Sequence, residues 1–228
     1  MTKLMGAGMA GAAALAALAW ISLSPQGTPA EAAVAIPAPA RDVPAATDDQ
    51  TAVFAGGCFW GVEAVFQHVE GVTGAVSGYA GGSAAEAHYE TVGRGRTGHA
   101  EAVRVTYDPS RVSYGRLLQI FFSVAHDPTQ LNRQGPDTGP QYRSAIFPRD
   151  AEQRAAAEAY IAQLNSSGRF ARPLATRIED GRFYRAEDYH QNFMSRNPRH
   201  PYIVAHDAPK LADLRRMFAN DYSARPAG

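Results

Sequence analysis

The sequence predicts an α+β fold: a two-layer sandwich with a ferredoxin-like split βαβ core, a mixed sheet and a coil-rich C-terminal tail. Two observations carry this expectation. The apolar periodicity changes along the chain in the order strand, helix, strand, strand, helix, strand, which is the order of a split βαβ unit. The stretch from residue 51 to about 222 is one domain's worth of chain, enough to bury a core without disulfide staples.

Each element has its own signal. Residues 51–55 are small and apolar and read as the first strand. Val62, Val65, Phe66 and Val69 then fall at i, i+3, i+4 and i+7, the stripe of an amphipathic helix. Residues 72–79 read as a strand, punctuated by Gly71 and the pair Gly81-Gly82, and 83–98 as a polar, Gly-rich loop. Gly93, Gly95 and Gly98 match a G-x-G-x-x-G string, but a dinucleotide fingerprint must open a helix and this one runs into a strand. That strand, 99–107, alternates with period two until Asp108-Pro109 stops it. Ser113 caps a helix carrying Leu117, Leu118, Phe121 and Phe122. Residues 126–141 form a long Pro/Gly-rich loop, the kind of segment that carries function. A strand at 143–147, an alanine-rich helix at 150–164 closed by Gly168 and a strand at 174–178 complete the core. A short helix is expected at 187–197, extended coil at 198–208 and a last amphipathic helix at 209–219.

The chain begins with Lys3 followed by an uncharged apolar run over 4–23, then small-residue sites at Ala30-Glu31-Ala32 and Ala33-Val34-Ala35. This reads as a signal peptide over 1–35, or a membrane anchor if uncleaved, and predicts an exported, periplasmic or extracytoplasmic protein. Residues 36–50, rich in Pro, Ala and Asp, read as a disordered linker, with the domain at 51–222 and a tail at 223–228. Charge is balanced, 22 Lys and Arg against 22 Asp and Glu, which argues against nucleic acid or an anionic lipid surface as partner. With no obvious apolar surface stripe, a monomer is expected.

Cys58 is the only cysteine of the 228 residues, within Gly56-Gly57-Cys58-Phe59-Trp60-Gly61. At a strand-to-helix turn, unpaired N–H groups and the helix dipole favour the thiolate, so this layout suits a reactive cysteine. A structural free thiol would be a liability in an oxidising compartment, which strengthens that reading over a small buried hydrophobe.

Gly57-Cys58-Phe59-Trp60-Gly61 resembles the signature of the A-type peptide methionine sulfoxide reductases. The likeness continues, in order, through Ser77-Gly78-Tyr79-Ala80-Gly81-Gly82, His88-Tyr89-Glu90-Thr91-Val92 and Thr97-Gly98-His99-Ala100-Glu101-Ala102-Val103. It extends through Tyr107-Asp108-Pro109, His126-Asp127-Pro128-Thr129-Gln130, Arg133-Gln134-Gly135-Pro136-Asp137, Gly139-Pro140-Gln141-Tyr142-Arg143-Ser144 and Tyr189-His190-Gln191. The resemblance implies reduction of the S epimer of methionine sulfoxide, protein-bound and free. It implies Cys58 as nucleophile, Glu101, Tyr89 and Tyr142 around the sulfoxide oxygen with Asp137 nearby, and Phe59 and Trp60 around the S-methyl group. It implies no metal or prosthetic group, only an external thiol reductant.

The chemistry wants these residue types. A sulfoxide oxygen leaves only when protonated, so the reaction needs a nucleophile for sulfur, an acid for oxygen and donors to hold that oxygen. A cysteine that takes the oxygen becomes a sulfenic acid. Many family members then form an internal disulfide; this chain has no second cysteine, so the sulfenic acid must be met directly by an outside thiol, a small one or a thioredoxin-like protein. His99 and Glu101, two positions apart on a strand, would suggest a metal, but a third ligand at plausible spacing is missing. Two other classes stay open at this level: a cysteine hydrolase or acyltransferase using His99 or His190 as base, and a non-catalytic module that binds oxidised methionine.

Overall fold

The computed structural model describes residues 1, 33–44 and 46–228. Apart from its ends, the segment expected as signal peptide or anchor lies outside them. Strand β1 (Gln50–Gly56) leads into helix α1 (Phe59–Gln67) and back into β2 (Val72–Ala80). After a 3₁₀ turn at Ala84–Glu86 and a one-turn helix α2 (Tyr89–Val92), β3 (Ala100–Tyr107) enters the sheet. Helix α3 (Tyr114–Ile120) runs on through a π-helical turn, Phe121–Ala125. Ser113 caps α3 by accepting from the Arg116 N–H. A two-strand hairpin, β4 (Arg133–Gln134) and β5 (Asp137–Thr138), sits inside the long loop. Then come β6 (Ser144–Ile146), α4 (Ala151–Ser166), β7 (Arg177–Ile178) and β8 (Phe183–Arg185). Asp150 caps α4 through Gln153 N–H, and Gly168 follows it with φ of 66°, the left-handed stop that glycine supplies.

The sheet order is β7-β6-β1-β3-β2-β8. Its central strands β6-β1-β3-β2 are the split βαβ arrangement: β3 lies between β1 and β2 and is antiparallel to both. β6 and β7 pair in parallel, which makes the sheet mixed. One sheet face meets α1 and α3, where Phe54 stacks at 5.1 Å on Phe66 and 5.0 Å on Phe121. The other face carries a smaller cluster of mostly short side chains: Val53, Ala55, Ala80, Ala100, Ala102, Ala145 and Phe147.

Several parts of the expected layout are corrected. The strand at 174–178 shrinks to two residues, β8 was unforeseen, and the helix at 187–197 is one turn, α5 (Phe193–Arg196). The segment 198–208, expected as extended coil in a coil-rich tail, is helical from Pro201, passing through a π-helical turn at Ile203–Asp207 into α6 (Ala208–Met217). Ile203, Asp207, Leu214 and Phe218 are its buried side chains. They fall at i, i+4, i+11 and i+15, and the acid in that stripe hides the helical period.

Of the linker expected to be disordered over 36–50, residues 36–44 are instead part of a strap docked on the helices. Ile36 is buried, its carbonyl accepts from Gln119 Nε2, and the Pro37 carbonyl accepts from the Tyr160 hydroxyl. Gln163 bonds both Ala38 O and Ala40 N. Asp42 accepts from Gly115 N–H at 2.7 Å and from the Ser113 hydroxyl at 2.5 Å, completing the α3 cap. Replacing Asp42 with alanine is expected to remove about 1 kcal/mol of stability, as loss of a cap does. A thermal melt should read this as a drop of roughly 2–4 °C.

Candidate active site

β1 ends in a turn that only glycine can make. Gly57 has φ of +91°, and a Cβ there would lie 2.5 Å from Gln134 Cγ, on the hairpin that closes over the turn. Cys58 follows as the N-cap of α1, and Phe59 is the first helical residue. Next to it, Glu101 enters from β3 and accepts the Phe59 N–H at 3.0 Å. Antiparallel pairing sets Glu101 opposite Tyr79 on β2.

The loops complete the site. Glu187 accepts from the Tyr79 hydroxyl at 2.8 Å and the Tyr89 N–H at 2.9 Å, fixing the start of α2. Arg143 clamps the turn at Pro140–Tyr142 to the entry of β3, donating to Pro140 O at 2.9 Å, Gly98 O at 2.9 Å and His99 O at 3.2 Å. The Glu179 carboxylate holds that guanidinium from outside at 2.6 Å. Trp60 stacks on Phe193 with ring centres 3.8 Å apart and donates its indole N–H to His190 Nδ1 at 3.1 Å. Together these elements enclose a cavity of about 160 Å³ lined by Cys58, Phe59, Trp60, Tyr89, Glu101, Asp137, Tyr142 and Tyr202. The seven residues that the family resemblance implied for the site, Cys58, Phe59, Trp60, Tyr89, Glu101, Asp137 and Tyr142, are therefore in one cavity.

Electrostatics correct one expectation. The helix start was expected to favour the Cys58 thiolate; instead the thiol is pushed well up, first by burial, then by the Glu101 and Asp207 carboxyls, against a smaller pull from the Trp60 N–H. Glu101 is pushed up to about 8, chiefly by burial, with Asp137 and Asp207 adding like charge and the Phe59 N–H opposing. At neutral pH the site thus holds a protonated carboxyl beside a thiol. Burial also raises the Tyr89 hydroxyl to about 12 and moves Tyr142 upward, so both stay hydrogen-bond donors.

Sequence reasoning missed Tyr202, Asp207 and Lys210. Tyr202 donates its hydroxyl to Asp137 Oδ2 and meets Trp60 edge-on at 5.9 Å. Asp207 is buried against α1, where a Cβ on Gly61 would fall 2.1 Å from its Oδ1. Pro201 and Pro209, each able to begin a helix, were the available signals. His99 and His190 do not line the cavity. The His99 ring nitrogens meet Gly82 N–H and Ser83 O, and His190 Nδ1 is engaged by Trp60, so neither serves Cys58 as a base.

A split βαβ sandwich that buries one cysteine beside a raised carboxyl and phenolic donors holds the groups that a thiol oxidoreductase needs. Comparison with known proteins gives the family: residues 50–222 match "Peptide methionine sulfoxide reductase". The chain is 58% identical over 186 residues to peptide methionine sulfoxide reductase MsrA 2 of Mesorhizobium japonicum, covering 81% of this chain and 95% of that one. It is 52% identical over 195 residues to the MsrA 2 of Synechocystis, covering 83% and 91%. Among solved structures it resembles reduced Mxr1 of Saccharomyces cerevisiae, with a TM-score of 0.59 and 33% identity over 67% of this chain and 87% of that one. Methionine sulfoxide reductase A of Corynebacterium diphtheriae gives a TM-score of 0.56 and 36% identity over 66% and 76%. The chain belongs to the peptide methionine sulfoxide reductase family, an oxidoreductase family of protein repair.

Proposed function

We propose that this chain reduces the S epimer of methionine sulfoxide, in oxidised proteins and as the free amino acid, using Cys58 as nucleophile and Glu101 as acid. The observation that carries the reading is the buried Glu101 carboxyl, pushed up to about 8 by burial, sharing with Cys58 a cavity sized for one side chain. Cys58 sulfur attacks the sulfoxide sulfur while Glu101 gives its proton to the oxygen and takes the thiol proton. The substrate S–O bond breaks, the oxygen becomes bonded to Cys58 sulfur as the transient bond between the two sulfurs breaks, and methionine departs, leaving Cys58 as a sulfenic acid. Tyr89 and Tyr142 donate to the oxygen as charge develops on it, and Asp137, gripped by Tyr202, lies at the same wall. Phe59 and Trp60 receive the S-methyl group. Burying it gains only ~0.8 kcal/mol, so epimer choice rests on which way the oxygen points. The wrong epimer turns its oxygen to the aromatics and leaves a strong acceptor unpaired, at roughly 1–3 kcal/mol.

With one cysteine in the chain, an external thiol completes the cycle. It condenses with the sulfenic acid to a mixed disulfide and water, and a second thiol releases Cys58 and a disulfide. The N-terminal apolar run supports export to a periplasmic or other extracytoplasmic space, whether as a cleaved signal peptide or an anchor. Balanced charge supports a monomer.

A single turnover without added thiol tests the reading. S-sulfoxide, and not the R epimer, is expected to yield about one equivalent of methionine. Mass spectrometry should then find sulfenic acid on Cys58. A free Cys58 thiol after stoichiometric product would overturn the proposal.

A further inference from the structure

Helix α1 spends two buried polar side chains on one exposed loop residue. Glu63 is 1% exposed and accepts the Asn192 N–H at 3.1 Å. Gln67, 3% exposed, donates to Asn192 Oδ1 at 2.6 Å. Burying a carboxyl and an amide is costly unless their bonds are made, so the pair calls for a reason. The helix supplies one: Trp60, Glu63 and Gln67 fall at i, i+3 and i+7, on one face of α1. Asn192 holds a left-handed backbone, with φ of 55°, and is the N-cap of the one-turn helix α5. On either side of it in the chain are the two side chains that grip Trp60. His190 accepts the indole N–H, and Phe193, the residue after Asn192, lies flat on the indole with the ring planes 8° apart.

We propose that Glu63 and Gln67 are positioning residues: by pinning Asn192 they fix the Trp60 indole, and so limit the group on the substrate sulfur to methyl. This deepens the reading that Phe59 and Trp60 receive the S-methyl group, and it rests on that reading. Phe193 backs the indole at 3.8 Å, contact distance for stacked rings, so the indole cannot retreat unless Phe193 does. Asn192 opens α5 and so sets where Phe193 starts. A cavity of about 160 Å³ closed by such a wall has no give for one more carbon. One methylene in an apolar pocket is worth roughly 10–200-fold in discrimination when the wall holds still. A wall carried by an unanchored loop would instead repack around the larger group.

The test compares methionine S-sulfoxide with ethionine S-sulfoxide in the parent, in Glu63→Met and in Glu63→Gln. The first variant removes the acceptor at similar side-chain length; the second keeps an oxygen for the Asn192 N–H. The parent is expected to favour the methyl substrate by about tenfold or more in kcat/KM. In Glu63→Met that preference should shrink toward parity. KM for methionine sulfoxide should rise severalfold there with kcat nearly kept, the mark of lost uniform binding. Glu63→Gln should restore both. A merely structural role would lower kcat for both substrates together and leave the preference alone. Trp60 also gives a reading without turnover, since Trp20 is the only other tryptophan and is removed as Trp20→Phe. Acrylamide should quench Trp60 fluorescence more steeply in Glu63→Met than in the parent or Glu63→Gln. An unmoved preference or unmoved quenching in folded Glu63→Met overturns the proposal, as does a Glu63→Gln that behaves like Glu63→Met. Should Glu63→Met not fold, Gln67→Met removes the other anchor and is read by the same criteria. A parent that reduces neither sulfoxide fails the functional reading, and quenching still decides whether the anchors hold Trp60.

Discussion

Glu101→Gln lowers turnover by roughly 10²–10⁴, the range lost when a general acid is removed. The amide keeps the shape of the side chain and can still hydrogen-bond the sulfoxide oxygen, but it has no proton to give. The parent's pH profile carries the same information. Glu101 titrates at about 8, so activity holds below that pH and falls as pH rises through it, the acid form being the active one. The alkaline limb should vanish in the variant. Stability also falls as pH rises, over a lower window. A carboxyl whose folded pKa is raised stabilises the fold fully only below its unfolded value, 4.5, and that contribution is lost as pH climbs to 8. Relative to the parent, Glu101→Gln should therefore gain stability between those two values and stay level above them. A variant with parental turnover, or a parent whose activity climbs through pH 8 to 10, would remove Glu101 from the acid's role.

Tyr89→Phe combined with Tyr142→Phe is the second large effect. Each hydroxyl is held as a donor, and losing one oxyanion donor costs about 10²–10³ in kcat. The two act on one oxygen, so the double variant should lose less than the product of the singles. KM should change little, because the donors matter most once charge has developed on oxygen. The preference for S over R sulfoxide should narrow, since the oxygen's fixed seat is what tells the epimers apart. Neither hydroxyl is needed for the core, so melting temperature serves as the control. A folded double variant with near-normal turnover would sink the assignment.

The fold was legible in the sequence where periodicity and punctuation agreed. β1, α1, β2, β3, α3 and α4 lie close to where alternation, apolar stripes, Ser113, Asp150 and Gly168 put them. The site was legible because its signature residues recur in order along the chain. What escaped was tertiary in origin. β8 reads as strand only because β2 offers an edge to Phe183–Arg185. The helix through Ile203 and Asp207 carries an acid in its buried stripe, and a period argument takes that as a break. The Cys58 thiol was misjudged because a helix terminus is local, whereas the burial and carboxyls that outweigh it come from β3 and the C-terminal segment. Tyr202 went unnoticed for the same reason: its role depends on Asp137, 65 positions earlier.

The strap over 33–44 separates two boundaries that are easily treated as one. The match to the family model begins at residue 50. What physically holds together begins earlier. A fragment cut at the start of the shared region would leave the Tyr160 hydroxyl, Gln119 and Gln163 without their backbone partners, strip Asp42 from α3 and open Ile36's seat to water. The family match marks where the chemistry starts, but the packed unit takes in chain upstream of it, so an expression boundary should be drawn ahead of the strap.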